Sequence, residues 1–435
     1  MQLEKTVKKY DTYKDSGIEW IGEIPQVWKY AKLAWCSNFV NGYAFNSENM
    51  DIDGEVPVVR IGDIQNGKVI YDTCLKVNNN NDLDQYELKK DDIVMAMSGA
   101  TTGKLAVVDS DDKAYINQRV GIIRSKNNKF IRYCLDNDCF LQYVGLLSAG
   151  SAQPNISMGN ILDYKIPYIS YDEQQQIADY LDKKCGEIDR VIETEKLVIE
   201  KLKEYKQLII TEAVTKGLDK SVPLKDSGIE WIGKIPQHWD VLSLARIANI
   251  VRGASPRPAG DPMYFCGNFC PWITVAEVTK DNSKYIFETE EYLTELGVQH
   301  SKLIDENTFL LSNSGATLGV PKITKIKGCI NDGSLAFLDI SCNMDYLYYV
   351  LKSRTNEFRK QMQGYGQPNL NTTIVKAFKI CLPSTNEQIQ IAEYLDKKCS
   401  EIDKAISDKE QVIEKFTEYK KSLIYECVTG KRKVV

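Results

Sequence analysis

The chain has 435 residues, 43% of them hydrophobic and 26% charged, and a formal net charge of -5. Such a length exceeds one compact core and predicts about two to four domains, while the ordinary apolar content argues against disorder. Two histidines in the whole chain leave no basis for Ser-His-Asp hydrolysis or a histidine-built metal centre, and no apolar run reaches the roughly 18 residues that cross a bilayer.

The opening, "MQLEKTVKKYDTYKDSG", lacks the apolar segment and small-residue cleavage site of a secretory signal, so a cytoplasmic protein without membrane contact is expected. Twelve scattered cysteines in a long chain read as buried thiols; neither Cys134/Cys139 nor Cys266/Cys270 has a second pair to complete a zinc site.

Next comes "KDSGIEWIGEIPQVW", Lys14 to Trp28, which returns as "KDSGIEWIGKIPQHW", Lys225 to Trp239, with 13 of 15 residues identical. The first copy opens a block with short β-rich runs, "VPVVRIGDI", "DIVMAMSG", "KLAVV" and "VGIIRS", separated by turn clusters and followed by a helical "NKFIRYCLDNDCFLQYVGLL". A 43-residue segment from Glu173 then runs in an apolar heptad: Leu181, Ile188, Leu202 and Ile209 on one position, Val191, Val198 and Tyr205 on the other. After the second 15-mer the plan repeats, with "CPWITVAEV", "NTFLLSNSG", "SLAFLDIS" and "MDYLYYVLKSRTNEFRKQMQ". A second 43-mer from Glu387 matches the first at 26 of 43 positions, its heptad carrying Leu395, Ile402, Phe416 and Leu423.

Two helices of about 40 residues, roughly 60 Å each, cannot hide their stripes alone, which predicts that they pair as a coiled coil. Glu195 and Lys409 interrupt the two stripes at matching mid-helix positions, and an antiparallel pair would bring them together as a register-setting charge pair. The expected domains are residues 1–172, a central helix 173–217, residues 218–386 and a C-terminal helix 387–435, the blocks being mixed α/β (α+β) tandem copies. Segments kept alike should meet the same partner twice, and segments that diverge should meet different things. The 15-mer, with Trp20, Pro25 and Trp28, is expected to pack where block joins helix, a direct contact with a partner subunit being the alternative.

The "DSGIEWIG.IP..W" openings, the "SGATTG" and "SGATLG" turns, "GSAQPNIS" and "GYGQPNLN", and "EQ.QIA.YLD.K", in this order and twice, resemble the specificity subunits of Type I restriction–modification systems over essentially the whole chain. The resemblance implies two target recognition domains, each reading one half of a split site in double-stranded DNA. It also implies an antiparallel coiled coil serving two methyltransferase subunits, and motor-nuclease restriction subunits recruited through the complex. The chain itself would be non-catalytic and bind no cofactor, S-adenosylmethionine, ATP and Mg being used by its partners for adenine methylation or cleavage. A coiled-coil interaction scaffold without DNA binding is the alternative.

The net charge excludes blanket attraction to nucleic acid, but local cations exist: Lys113, Arg119, Arg124, Lys126, Lys129 and Arg132 follow one another with no acid between, as do Arg246, Arg252 and Arg257. Base edges are read by paired donors and acceptors on Arg, Lys, Asn and Gln, with Ser and Thr adaptable. On turns of the first block these are Arg60, Ser98, Thr101, Thr102, Lys104, Asn117, Gln118, Arg119, Gln153 and Asn155. In the second they are Arg252, Arg257, Thr274, Ser314, Thr317, Asn331, Gln367, Asn369 and Asn371. The repeated Gln-Pro-Asn argues for a backbone role rather than discrimination. "SGATTGKL" is not a phosphate loop: Gly99 and Gly103 enclose three residues rather than four, and Leu105 stands where Ser or Thr would ligate magnesium.

Overall fold

The computed structural model describes residues 8–18, 21–148, 154–230, 232–315, 317–355, 358 and 370–434. They form two compact units that cut across chain order: Met1–Lys196 with Glu410–Val435, and Leu197–Lys409. The division falls near the middle of both long helices, Tyr171–Lys216 and Thr385–Val428, so each unit owns one block and half of each helix.

In the first unit a six-stranded sheet has the order Ser37–Asn41, Val120–Ser125, Ile93–Ala96, Leu105–Val107, Gly67–Val69, Ile64–Gln65. A three-stranded sheet, Tyr115–Ile116, Val56–Val59, Leu75–Val77, shares the core between them, where Val59, Val94, Ala106 and Ile122 are fully or almost fully buried. The helical stretch after Val120–Ser125 is broken into Asn128–Leu135 and Asp138–Ser148. Asn137 makes the break: its Nδ2 donates to the Cys134 carbonyl at 2.7 Å and its Oδ1 accepts from the Phe140 amide at 3.1 Å, the competition with helical hydrogen bonds that short amides favour.

The second unit repeats this with a five-stranded sheet, Asn249–Arg252, Ser334–Leu338, Phe309–Ser312, Pro321–Thr324, Tyr285–Ile286. A four-stranded sheet beside it runs Tyr292–Leu293, Phe265–Ile273, Gly328–Ile330, Lys302–Ile304. "CPWITVAEV" differs from a continuous strand: the strand ends at Ile273 and Val275–Thr279 is helical, with Thr274 at the N-cap position.

The helices pack as an antiparallel pair. In the first unit Ile177, Leu181, Cys185 and Ile188, near the start of one helix, share a core with Leu423, Ile424, Cys427 and Val428, near the end of the other. The ion pair Lys420–Asp189 stands at 2.7 Å on this seam. In the second unit Lys206–Asp403 stands at 2.6 Å, each residue being the 214-shifted counterpart of one in the first pair. Leu181, Ile188, Ile209, Leu395, Ile402 and Leu423 are buried, whereas Leu202 and Phe416 are half-buried. Glu195 and Lys409 belong to different units.

The 15-mers join block to helix. Trp28 and Trp239 are 1% and 0% exposed, and their indole N–H groups donate to Glu173 at 3.0 Å and Glu387 at 3.3 Å, one at the head of each long helix. Each chain reversal after a helix also lands on that indole. A Cβ on Gly430 would lie 2.4 Å from Pro25 and 3.0 Å from Trp28, and one on Gly217 would lie 3.1 Å from Trp239; both glycines hold φ of +74°. No described helix is long and apolar enough to cross a membrane.

Candidate nucleic-acid interface

At one end of each block's sheets a corner is built by the same backbone contacts. In the first, Gly42 passes so close to the turn after Tyr115–Ile116 that a Cβ would lie 2.0 Å from the Asn117 carbonyl oxygen. In the second, Gly253 stands in the same relation, 2.0 Å, to the Asn331 carbonyl oxygen. The Asn117 amide donates to Val59 at 2.9 Å and the Asn331 amide to Ile273 at 3.2 Å, and each carbonyl closes a turn by accepting from Val120 or Ser334. Only glycine permits this approach, and Asn suits the turn.

Three loops meet at the first corner. The Met97 amide donates to Arg119, the Ile156 amide to Met97 and the Gly99 amide to Pro154, each at 2.9 Å; Ser98 and Asn155 form a β-bridge. Ser98, Thr101, Thr102, Asn117, Gln118, Arg119 and Asn155 therefore lie on these joined loops, whereas Lys104, at the end of the same turn, lines a cleft with Asp136 and Asp189. Gln118, Arg119 and Lys104 are exposed. Thr102 Oγ1 donates to the Gly99 carbonyl at 2.7 Å, a turn role. The Ser98 and Thr101 hydroxyls are buried with no hydrogen-bond partner among the described residues. Arg60 is committed to the fold: its Nε lies 3.3 Å from Asp63 and its Nη2 donates to the Thr73 carbonyl at 3.2 Å.

The run of cations from Lys113 to Arg132 does not form one basic stripe. Arg124 makes a bidentate pair with buried Asp92 at 2.8 and 2.6 Å, Lys113 pairs with Asp84, Lys129 with Asp182, and the Arg132 guanidinium lies over the Tyr133 ring. The exposed side chain of Arg119 has no such partner among the described residues.

At the second corner the Asn313 amide donates to Gly333 at 3.0 Å and the Leu370 amide to Asn313 at 2.7 Å, reproducing the first. Ser314 and Asn331 side chains approach Gly333. Thr317 is exposed and its carbonyl accepts from Ser312 at 2.7 Å. Arg252 Nε donates to the Asp332 carbonyl at 2.8 Å, and Arg257 Nη2 lies 3.3 Å from the Asp332 carboxylate. Thr274 is half-buried before its helix, and Asn371 caps Thr372–Ala377 through the Ile374 amide at 2.9 Å. Gln153, Gln367, Asn369 and Trp20 lie outside the described residues.

The sequence reading missed Asp332, which orients both arginines, and Tyr43, 40% exposed and bridged to Asn117. The 214-residue shift pairs Gln118 with Asp332, which marks a divergent rim position, but nothing local distinguishes it from a surface acid.

The geometry defines a protein with two copies of one domain whose shared scaffold presents unlike polar rims. The chain belongs to the Type I restriction modification DNA specificity domain family, which it matches over residues 25–204 and 236–415. It is 23% identical to the Type I restriction enzyme MjaVIII specificity subunit of Methanocaldococcus jannaschii over 94% of both chains. In fold it is similar to a chain from a structure on complex assembly and conformational transition of a type I restriction–modification system (TM-score 0.71, 16% identity, 94% of this chain and 99% of that one). It is similar too to the HsdS subunit of Thermoanaerobacter tengcongensis (TM-score 0.50, 15% identity, 94% and 98%).

Proposed function

We propose that this chain is the sequence-specificity subunit of a Type I restriction–modification complex. Each block reads one half of a bipartite, asymmetric site in double-stranded DNA. One observation carries the reading: the corners agree down to the Gly42–Asn117 and Gly253–Asn331 contacts, yet the groups they present differ. Gln118 and Arg119 face Asp332 and Gly333 across the repeat, and Lys104 faces Val320. A common frame with exchanged side chains is what two readers of different base sequences require.

The repeated helices, alike at 26 of 43 positions, and the near-identical 15-mers give two methyltransferase subunits equivalent seats, through which restriction subunits join. The chain performs no chemistry of its own and acts in the cytoplasm; S-adenosylmethionine, ATP and Mg belong to its partners. Selection from a randomised duplex library tests the reading. Enrichment of a two-part motif is the expected result, and recovery of no motif, with or without methyltransferase subunits, overturns it.

A further inference from the structure

We propose that a cleft beside Arg257 in the second block receives one nucleobase everted from the half-site that block reads, a base carrying an exocyclic amine. The proposal rests on the DNA-binding reading above and adds to it a cleft at a position where the first block carries stacked rings.

The blocks diverge where a shared ladder meets the rim. In the first, Tyr115 pairs with Val58 across a parallel ladder and is fully buried. Phe45 stacks on it with centroids 6.1 Å apart, and Tyr43 packs on Phe45 at 5.0 Å and on Tyr86 at 5.3 Å. In the second, the same ladder pairs Cys329 with Trp272, and the 211-shifted counterparts of Tyr43 and Phe45 are Ala254 and Pro256. Three rings are thus replaced by small groups. Cys329 is packed over by Trp272, but Pro256, where the first block has Phe45, lines a cleft of about 440 Å³ that also includes Phe265 and Trp272, rings 6.1 Å apart and steeply inclined.

Polar groups among the lining select the occupant. Arg257, 70% exposed at its side chain, Asn331 and Asp332 belong to the rim itself. Asp332 is held by Ser255 Oγ at 2.6 Å and Arg257 at 3.3 Å, so its carboxylate is an oriented acceptor. Glu291 is a second carboxylate of the lining. Two carboxylates repel a phosphate, whereas a guanidinium, an amide and a carboxylate together match the donors and acceptors of a base edge, the carboxylate taking an exocyclic amine. Trp272 is only 4% exposed, too deep for a base still stacked in a duplex. A base must leave the stack to reach it, a step made easier by a weakened pair.

The test uses the full-length chain without methyltransferase subunits, which would evert bases of their own. Each pair of the selected motif is mismatched in turn, keeping adenine or cytosine, and binding is measured by competition at low salt. At one position of the half-site read by the second block, a mismatch should tighten binding about tenfold or more, with no such position in the other half. Ala259→Phe, at an exposed place on the cleft loop, should abolish that gain while leaving recognition of the first half intact. A flat mismatch profile in a chain that still selects its motif overturns the pocket alone, as do equal gains in both halves or a gain that survives Ala259→Phe. Selection of no motif overturns both readings. If Ala259→Phe binds no DNA, the comparison of the two halves in the unaltered chain decides.

Discussion

Asn117 and Asn331 hold their turns through carbonyl oxygens that accept from Val120 and Ser334, and the strand passing closest to each oxygen has no side chain in the way. Gly42→Ala and Gly253→Ala each place a methyl 2.0 Å from such an oxygen, so backbone must move. A loss of about 2 kcal/mol is expected from each in urea unfolding. With it, library selection should show relaxed preference in one half of the motif only, a different half for each variant. Lys352 illustrates a second residue-level effect. Its amine, hydrogen-bonded to the Tyr348 hydroxyl at 2.8 Å, is held below the usual lysine range, chiefly by burial. The unfolded chain therefore binds more protons than the folded one between the two pKa values, and stability rises with pH across that window. Comparing unfolding midpoints of the wild type and Lys352→Met from pH 8 to 10 isolates the effect. The wild type should gain stability relative to the variant as pH climbs; parallel curves would refute it.

Among elements, the long helices make the clearest case. Asp189–Lys420 and Asp403–Lys206 are related by the internal repeat, and half-exposed pairs of this kind contribute about 0.5 kcal/mol each. Asp189→Lys alone should lower stability by about 1 kcal/mol through repulsion of Lys420, and adding Lys420→Asp should restore it. The same cycle on Glu195 and Lys409 tests the expected mid-helix pair: rescue in the double reversal supports it, additive losses refute it. The buried stripe through Leu181, Ile188, Leu395 and Leu423 was legible because a heptad marks burial whatever the partner is. The Asp189–Lys420 pairing was not, since it depends on a register that no local pattern states. Rim positions such as Gln118 and Arg119 could be read from turn chemistry. The role of Arg124 could not, because its carboxylate, Asp92, becomes a partner only once the strands are folded, whereas the Arg60–Asp63 pair is three residues apart and lay open to a local reading. "CPWITVAEV" misled for a related reason: its β-branched residues suit a strand, but Thr274 and Val275 open a helical turn packed beside Phe309–Ser312.

For the whole molecule, the decisive property is that each block sits with its own helix halves in a unit of its own. The frame that receives a block, Trp28 on Glu173 or Trp239 on Glu387, lies in the repeated segments and not in the divergent ones. Replacing residues 29–172 by the same block of another family member should therefore preserve folding and alter one half of the selected motif, leaving the other half as it was. Changes in both halves would mean that the blocks read DNA jointly, contrary to the separation of their corners into two units. On the proposed reading, phosphate contacts by the three cations Lys104, Arg119 and Arg252 would make affinity fall about fortyfold between 50 and 200 mM salt. In the exchanged chain that slope should follow the cations of the incoming rim, because the counterions released are those displaced by its own side chains. A slope that ignores the exchange would place the phosphate contacts on the helices rather than on the blocks.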